Sequence, residues 1–273
     1  MEAKRLKRGL SQLCLGRNSR IHESLALCRD IGYDGLEILL TDRGELNMAS
    51  TASDYERLRT WSRETGVELC SICAALSADT SFTSDDPKVR DMGIQKTRKM
   101  IEAGAALGIN AFLLVPGRVT EELSYDVAYN RTLEALQEVK GYAEEHRVAI
   151  AVENVWNKLF LSPLEVRDFL DKVDSEYVGW FFDVGNVVLF GFPEQWIEIL
   201  GHRIKKVHFK DFEMDHRTRT YAWTQLMDGA VNWPKVMAAL RSVGYDDYVI
   251  SEVGGDRKVF AETLRRMDRI LKL

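Results

Sequence analysis

Apolar runs rich in Val, Ile, Leu and Phe recur along the chain. Each is followed by a segment whose apolar residues return at helical spacing before closing on glycine or a charged turn. The runs predict strands at Gly9–Leu15, Gly35–Leu40, Val67–Ala74, Asn110–Pro116, Val148–Val155, Val178–Val184, Ile204–Phe209 and Tyr248–Val253. The helical segments are Ser19–Gly32, Ser53–Gly66, Asp85–Gly108, Glu122–His146, Pro163–Val173, Pro193–Gly201, Trp233–Gly244 and Lys258–Leu273. Strict alternation of strand and helix is the pattern of βαβ units around a parallel sheet. Eight such pairs of roughly 34 residues, without a Pro/Gly/Ser-rich linker, predict a single (β/α)8 TIM barrel spanning residues 1–273. A doubly wound open sheet competes with this reading, but its GxGxxG turn is missing. The first strand leads into Leu13-Cys14-Leu15-Gly16-Arg17, with one glycine. Gly32, Gly66, Gly108 and Gly244 fall where helices end and read as C-caps.

Barrel strands are buried on both faces, so a charged residue late in such a run projects into the C-terminal mouth or is costly. The last four strands each carry one: Glu153 in Val148-Ala-Ile-Ala-Val-Glu153-Asn154, Asp183 in Trp180-Phe-Phe-Asp183-Val-Gly-Asn186, His208 in Lys205-Lys-Val-His208-Phe-Lys-Asp211, and Glu252 in Tyr248-Val-Ile-Ser-Glu252. By period two, Glu153 shares a face with the small Ala149 and Ala151, as a barrel interior favours. Consecutive parallel strands bring their C-terminal ends side by side, so these four should converge. Any one of them alone reads equally well as a core histidine, a turn aspartate or a salt-bridged glutamate. Together they make a site for one divalent metal ion. Three oxygen ligands and one nitrogen, with no thiolate, fit Mn²⁺ best and also suit Mg²⁺, Co²⁺ or Zn²⁺.

Charge and cysteine content narrow the function classes. Lys plus Arg is 37 against 42 for Asp plus Glu, a formal charge of −5, which offers no electrostatic basis for gripping nucleic acid. Residues 1–8 are basic, but no apolar signal core follows them and no run approaches the length of a membrane span, so a cytoplasmic protein is expected. Four cysteines, Cys14, Cys28, Cys70 and Cys73, fit reduced, buried thiols. Cys70-Ser-Ile-Cys73 has CxxC spacing, yet in a regular strand residues i and i+3 point to opposite faces, and no second pair exists.

At the four strand ends the chain resembles the xylose isomerase-like TIM barrels, a superfamily of sugar isomerases and epimerases that also holds endonuclease IV. Val152-Glu153-Asn154, Asp183-Val-Gly-Asn186, Val207-His208-Phe-Lys210-Asp211 and Ile250-Ser-Glu252-Val253 look like the family's metal ligands, in family order. Gly35-Leu-Glu37 and Gly229-Ala-Val-Asn-Trp233 resemble further family pieces, so the similarity covers essentially the whole chain. Within the superfamily the ketose 3-epimerases are most similar, both the D-tagatose 3-epimerase group and the sugar-phosphate enzymes called hexulose-6-phosphate isomerase. Asn186, where the tagatose epimerases commonly have a substrate-touching histidine, resembles the sugar-phosphate branch more. Val155-Trp-Asn-Lys-Leu-Phe160 lacks the second acidic residue of the tagatose group, so the identity of the sugar does not carry over.

The resemblance implies a metal that polarises a ketose carbonyl through O2 and O3. Glu153 and Glu252 would be two bases on opposite sides, one taking the C3 proton to leave a metal-stabilised cis-enediolate and the other returning a proton to the opposite face. Asp183 and His208 would hold the metal. The same chemistry between C1 and C2 makes an aldose–ketose isomerase, and loss of a β-hydroxyl makes an inosose-type dehydratase. An endonuclease IV-like centre needs many histidines, whereas of His22, His146, His202, His208 and His216 only His208 ends a predicted strand. A barrel that binds sugar without turnover is the remaining alternative. Substrate contacts are expected from Asn186, Lys210 and Trp156, with Phe160 and Trp223 also in loops facing the mouth. A phosphate handle would lie after strands seven and eight, at Arg217, Arg219 and Gly254-Gly255-Asp256-Arg257-Lys258. The partner is thus a small sugar or sugar phosphate, and the family implies a homo-oligomer, dimer or tetramer.

Overall fold

The eight predicted apolar runs form eight parallel strands, hydrogen-bonded in a closed ring. The computed structural model describes residues 6–16, 18–74, 78–215, 217–218 and 220–273. Of the residues singled out above, residues 1–5, Arg17, His216 and Arg219 lie outside the described ones. The strands are β1 (Lys7–Ser11), β2 (Gly35–Leu39), β3 (Glu68–Cys73), β4 (Ala111–Leu114), β5 (Ala149–Glu153), β6 (Val178–Asp183), β7 (Ile204–Phe209), β8 (Asp211–Asp215), β9 (Thr220–Thr224) and β10 (Tyr248–Ser251). The barrel runs β1-β10-β7-β6-β5-β4-β3-β2, so the architecture is a (β/α)8 TIM barrel. Strands β8 and β9 form a separate antiparallel hairpin where the sequence predicted only a loop.

The helices are α1 (Ile21–Ile31), α2 (Ala52–Thr65), α3 (Pro87–Leu107), α4 (Tyr125–His146), α5 (Pro163–Val173), the single turn α6 (Val184–Val187), α7 (Pro193–Leu200), α8 (Trp233–Ser242) and α9 (Arg257–Ile270). Their starts follow from local chemistry. Asp86 accepts from the Lys88 amide ahead of α3, Ser162 from Glu165 ahead of α5, and Asp256 from Lys258 and Val259 ahead of α9. Gly32, Gly66 and Gly108 end α1, α2 and α3 in the left-handed conformation that the C-cap reading required. Among the described residues no helix is long and apolar enough to cross a membrane.

Period two divides each strand between two cores. Ile150, Val152, Phe182 and Val207 face outward beneath Leu136, Phe169, Ile197 and Leu240 of the helices. Leu113, Ala151, Phe181 and Ile250 face inward and fill the barrel. Each fully buried Val, Leu, Ile or Phe among them contributes about 1.5–3 kcal/mol. Two one-residue irregularities alter the predicted facing. Between β2 and β3 the register passes from Leu36↔Leu69 to Glu37↔Ser71, so Cys70 is an extra residue and joins Cys73 in the inner core. The two cysteines of the CxxC therefore share a face, contrary to the regular-strand expectation. Both remain free thiols, pushed well above their usual pKa by burial. Between β6 and β7 the register skips Lys205, which brings Lys206 opposite Phe181 and His208 opposite Asp183.

Lys206 is thereby carried into the barrel floor. Its ammonium donates to both carboxylate oxygens of Asp247 at 2.8 Å, and the side chain is almost fully buried. Burial acts to raise the Asp247 pKa, but the Lys206 charge and hydrogen bonds more than reverse this and lower it. Removing one partner of such a pair leaves a buried charge uncompensated, so Asp247→Ala is expected to cost about 3–5 kcal/mol in urea unfolding. A loss below about 1 kcal/mol would show that water reaches Lys206 in the folded state.

Candidate active site

The four strand-end residues meet at the C-terminal mouth. Glu153 is the last residue of β5, Asp183 the last of β6, His208 lies in β7, and Glu252 follows β10. His208 Nδ1 lies 3.2 Å from Glu153 Oε1 and 3.9 Å from both Asp183 Oδ2 and Glu252 Oε2. One donor atom from each of the four falls within 4.8 Å of the others. Asp183 and His208 are buried completely, and Glu153 nearly so.

Local sequence explains the rigidity of this arrangement. The Asp183 amide and the Trp180 indole both donate to Asn154 Oδ1 at 3.0 Å, and Asn154 Nδ2 returns a 2.8 Å bond to the Asp183 carbonyl. The Val-Gly-Asn that follows folds as α6, so the Asn186 amide donates to Asp183 Oδ1 at 2.8 Å. Gly185 is required there, because a Cβ would stand 2.8 Å from the Lys210 carbonyl oxygen. Asp183 Oδ2 is left buried with no hydrogen-bond partner, facing the cluster.

The site carries an excess of negative charge. Burial pushes the Glu153 pKa up to about 7, although His208 opposes it. Burial likewise raises Asp183, against the pull of Lys210. For His208, burial alone would lower the pKa, but Glu37, Glu252 and Glu153 carry it well above the usual imidazole value. Glu252 is held below its usual value because His208 and Lys210 outweigh its burial. Three clustered carboxylates, one with an orphaned acceptor oxygen, and an imidazole form a donor set that a divalent cation would satisfy, so the residues present fit the metal that the sequence pattern called for.

Lys210 does reach the mouth. Its Nζ lies 2.5 Å from Glu252 Oε2, 3.6 Å from Asp183 Oδ2 and 4.4 Å from the centroid of the Trp223 ring. Trp223 comes from the unforeseen hairpin and stacks on Trp156 at 4.9 Å, with Phe212 edge-on to both. The Trp156 indole donates to the Asn186 carbonyl at 2.9 Å. Asp211 anchors the hairpin by accepting from the Phe212, Met227 and Val231 amides and the Trp233 indole. Lys210, Trp156 and Trp223 border a cavity of about 870 Å³ whose lining also includes Glu153, Asn186 and Glu252. Phe160 instead is buried against Tyr129, Phe169 and Trp180, which corrects its expected place at the mouth.

The described basic residues of the predicted phosphate handle lie apart from this cavity. Arg217 is almost fully exposed in the hairpin turn beside Asp215, and Arg257 starts α9 facing Asp30 at 3.4 Å. Neither is among the lining residues, whereas Arg118 and Lys158 are. Glu37 is a residue at the site that the strand-end reading does not select. It lies inside the barrel with one oxygen 3.1 Å from His208 Nε2. The signal was available, since Glu37 is a charge inside the apolar run Gly35–Leu40, the same criterion that selected Glu153.

A closed parallel barrel with a Glu-Asp-His-Glu set on its last four strands defines the class. Residues 25–270 match the xylose isomerase-like TIM barrel family, and the chain belongs to it. It is 24% identical over 250 residues to the L-ribulose-5-phosphate 3-epimerase UlaE of Salmonella heidelberg, covering 90% of this chain and 86% of that one. An uncharacterised protein of Methanocaldococcus jannaschii is 25% identical over 186 residues, 64% of this chain and 61% of that protein. Among solved structures, an L-ribulose 3-epimerase superposes with a TM-score of 0.82 at 19% identity, covering 98% of this chain and 95% of the other. A D-tagatose 3-epimerase-like protein gives 0.80 at 21% identity, with 98% and 97% covered.

Proposed function

We propose that the protein is a divalent-metal-dependent ketose 3-epimerase acting on a small sugar or sugar phosphate. The observation that carries this reading is the order of the site around the barrel. Glu153 on β5 and Glu252 after β10 flank Asp183 and His208, so two carboxylates face the cavity from the two ends of a four-strand arc. Epimerisation at one carbon needs a base on each face of the reacting centre, and this arrangement supplies them. Epimerase relatives in both sequence and fold support the same class.

Glu153, Asp183, His208 and Glu252 would hold the metal, which when bound polarises the ketose carbonyl and lowers the barrier to proton loss at C3. One glutamate takes the C3 proton, leaving a cis-enediolate. The other delivers a proton to the opposite face, and configuration at C3 inverts. Lys210, hydrogen-bonded to Glu252, holds that carboxylate ionised and can donate to a substrate oxygen. The Trp156–Trp223 wall excludes water from one side of the cavity and offers an apolar face to the C–H groups of a sugar. Asn186, whose backbone amide donates to Asp183 Oδ1 and whose Nδ2 donates to the Asn154 carbonyl, lines the cavity.

Mn²⁺-loaded protein incubated in D2O with free and phosphorylated ketoses, followed by proton NMR, tests the assignment. Deuterium should enter at C3 of one ketose and its epimer. Exchange between C1 and C2 with aldose formation would replace the epimerase by an isomerase, and no exchange in any sugar would remove catalysis from the reading.

If the substrate carries a phosphate, Arg118 and Lys158 are the cations best placed to bind it. Arg118→Glu combined with Lys158→Glu should raise KM for the ketose phosphate about 10-fold or more and leave a free ketose nearly unchanged. A selective effect from Arg257→Glu with Lys258→Glu, rather than from the cavity pair, would move the phosphate to the start of α9.

A further inference from the structure

His208 can serve a metal only if the right ring nitrogen carries a lone pair and the ring plane is held. Behind it, on the side away from the other three ligands, sits a pair of residues from β1 and β2. Ser11 and Glu37 are register partners on these adjacent strands, and both are fully buried. The Ser11 hydroxyl donates to Glu37 Oε1 at 2.8 Å, and the same oxygen lies 3.1 Å from His208 Nε2. Phe181 packs against the imidazole with ring centroids 4.4 Å apart.

We propose that Ser11 and Glu37 are positioning residues that hold His208 with its Nε2–H toward Glu37 and its Nδ1 toward Glu153, Asp183 and Glu252. The inference rests on the metal-dependent reading above and extends it to two residues that touch neither metal nor sugar. With a metal bound, Nδ1 must give up its hydrogen to act as a ligand, so the hydrogen that stays on the ring is the one on Nε2, facing the Glu37 carboxylate. Nδ1 is then left to the ligand cluster, 3.2 to 3.9 Å from its three oxygens. A carboxylate on the rear nitrogen of a ligating histidine fixes the tautomer and raises its basicity as a ligand.

Simple packing explains Glu37 poorly. Its second oxygen, Oε2, is buried and meets no donor, and the neighbouring Ser71 hydroxyl is also unpartnered. A half-satisfied buried carboxylate is worse for stability than an apolar side chain of the same volume. The pairing of Glu37 with the ring gives the charge a role that its packing does not.

Glu37→Met keeps length and volume and removes the acceptor, Glu37→Gln keeps an acceptor oxygen, and Ser11→Ala loosens the carboxylate without touching the ring. Titration calorimetry with Mn²⁺ should give affinity lowered roughly 10- to 100-fold in Glu37→Met, with smaller losses in Glu37→Gln and Ser11→Ala. Turnover in all three should approach the wild-type value at saturating Mn²⁺, because the four direct ligands remain. NMR of the metal-free protein supplies a readout independent of metal. The His208 Nε2–H proton, protected and shifted downfield by Glu37, should be present in the wild type and lost in Glu37→Met. A lower melting temperature with unchanged Mn²⁺ affinity and an unchanged ring proton would reduce Glu37 to a structural residue and overturn the proposal. If the wild type itself binds no divalent ion, the metal reading fails on that result alone, and the ring proton still decides the pairing. Should Glu37→Met not fold, Ser11→Ala and Glu37→Gln carry the same two measurements, and wild-type affinity with a wild-type ring proton in both would overturn it.

Discussion

Glu153→Gln and Glu252→Gln are each expected to lower turnover by a factor of at least about 10³ while metal and sugar still bind measurably. Glutamine keeps an oxygen in each ligand position but cannot accept the proton, so the substitution separates the base from the metal ligand. The half-reactions give the sharper measurement. With one glutamate disabled, the enzyme should still exchange the C3 proton of one epimer with solvent deuterium, through whichever glutamate faces that proton. The other epimer should stay unlabelled, and the two variants should label opposite epimers. Near-wild-type epimerisation by either variant, or equal labelling of the same epimer by both, would remove the two-base arrangement and favour a single-base isomerase.

Chelation should abolish activity, and the combination of Asp183→Asn with His208→Ala should abolish tight binding of Mn²⁺. Asp183 offers a buried oxygen with no hydrogen-bond partner and His208 the nitrogen of the four-residue cluster, so the double variant removes two of its four donor groups. Metal binding should also depend on pH in a stated direction. In the metal-free protein Glu153 titrates near 7, above the unfolded value of about 4.3. The folded state therefore holds this proton more tightly, and the associated stability is complete below about pH 4.3 and lost as pH rises through about 7. His208, raised well above its usual value, acts with the same sign. A metal must displace these protons, so the rise in melting temperature caused by Mn²⁺ should grow between pH 5 and pH 8. Scanning calorimetry with and without Mn²⁺ reads it directly. A stabilisation that is flat or falling over that range, or wild-type affinity in the double variant, would show that the ligands are assigned wrongly.

The alternation of strand and helix and the four strand-end residues that gather at the mouth could be read from the chain because both follow from short-range rules. A buried parallel strand tolerates no unpaired charge, so Glu153, Asp183, His208 and Glu252 stand out from their own apolar runs without knowledge of any neighbour. Closure of the barrel then makes strand-end residues from β5, β6, β7 and β10 adjacent, as the fold class requires. Glu37 obeyed the same rule but lies on β2, and its partner His208 is 171 positions away in sequence; only the closed ring puts them 3.1 Å apart. The facing of Cys70 and Cys73 depended on one extra residue in β3, and the arrival of Lys206 and His208 in register with β6 on one in β7. A single inserted residue inverts side-chain parity and leaves no mark on an apolar pattern of period two. The hairpin β8–β9 also needed the tertiary structure, since Met227, Val231 and Trp233 on Asp211 and Trp156 against Trp223 hold it from outside its own sequence. The chain by itself determined the barrel and the four residues that meet at its mouth, because burial acts residue by residue. Which groups stand behind and around that chemistry was decided by closure, bulges and loop packing, where the interacting atoms come from distant segments.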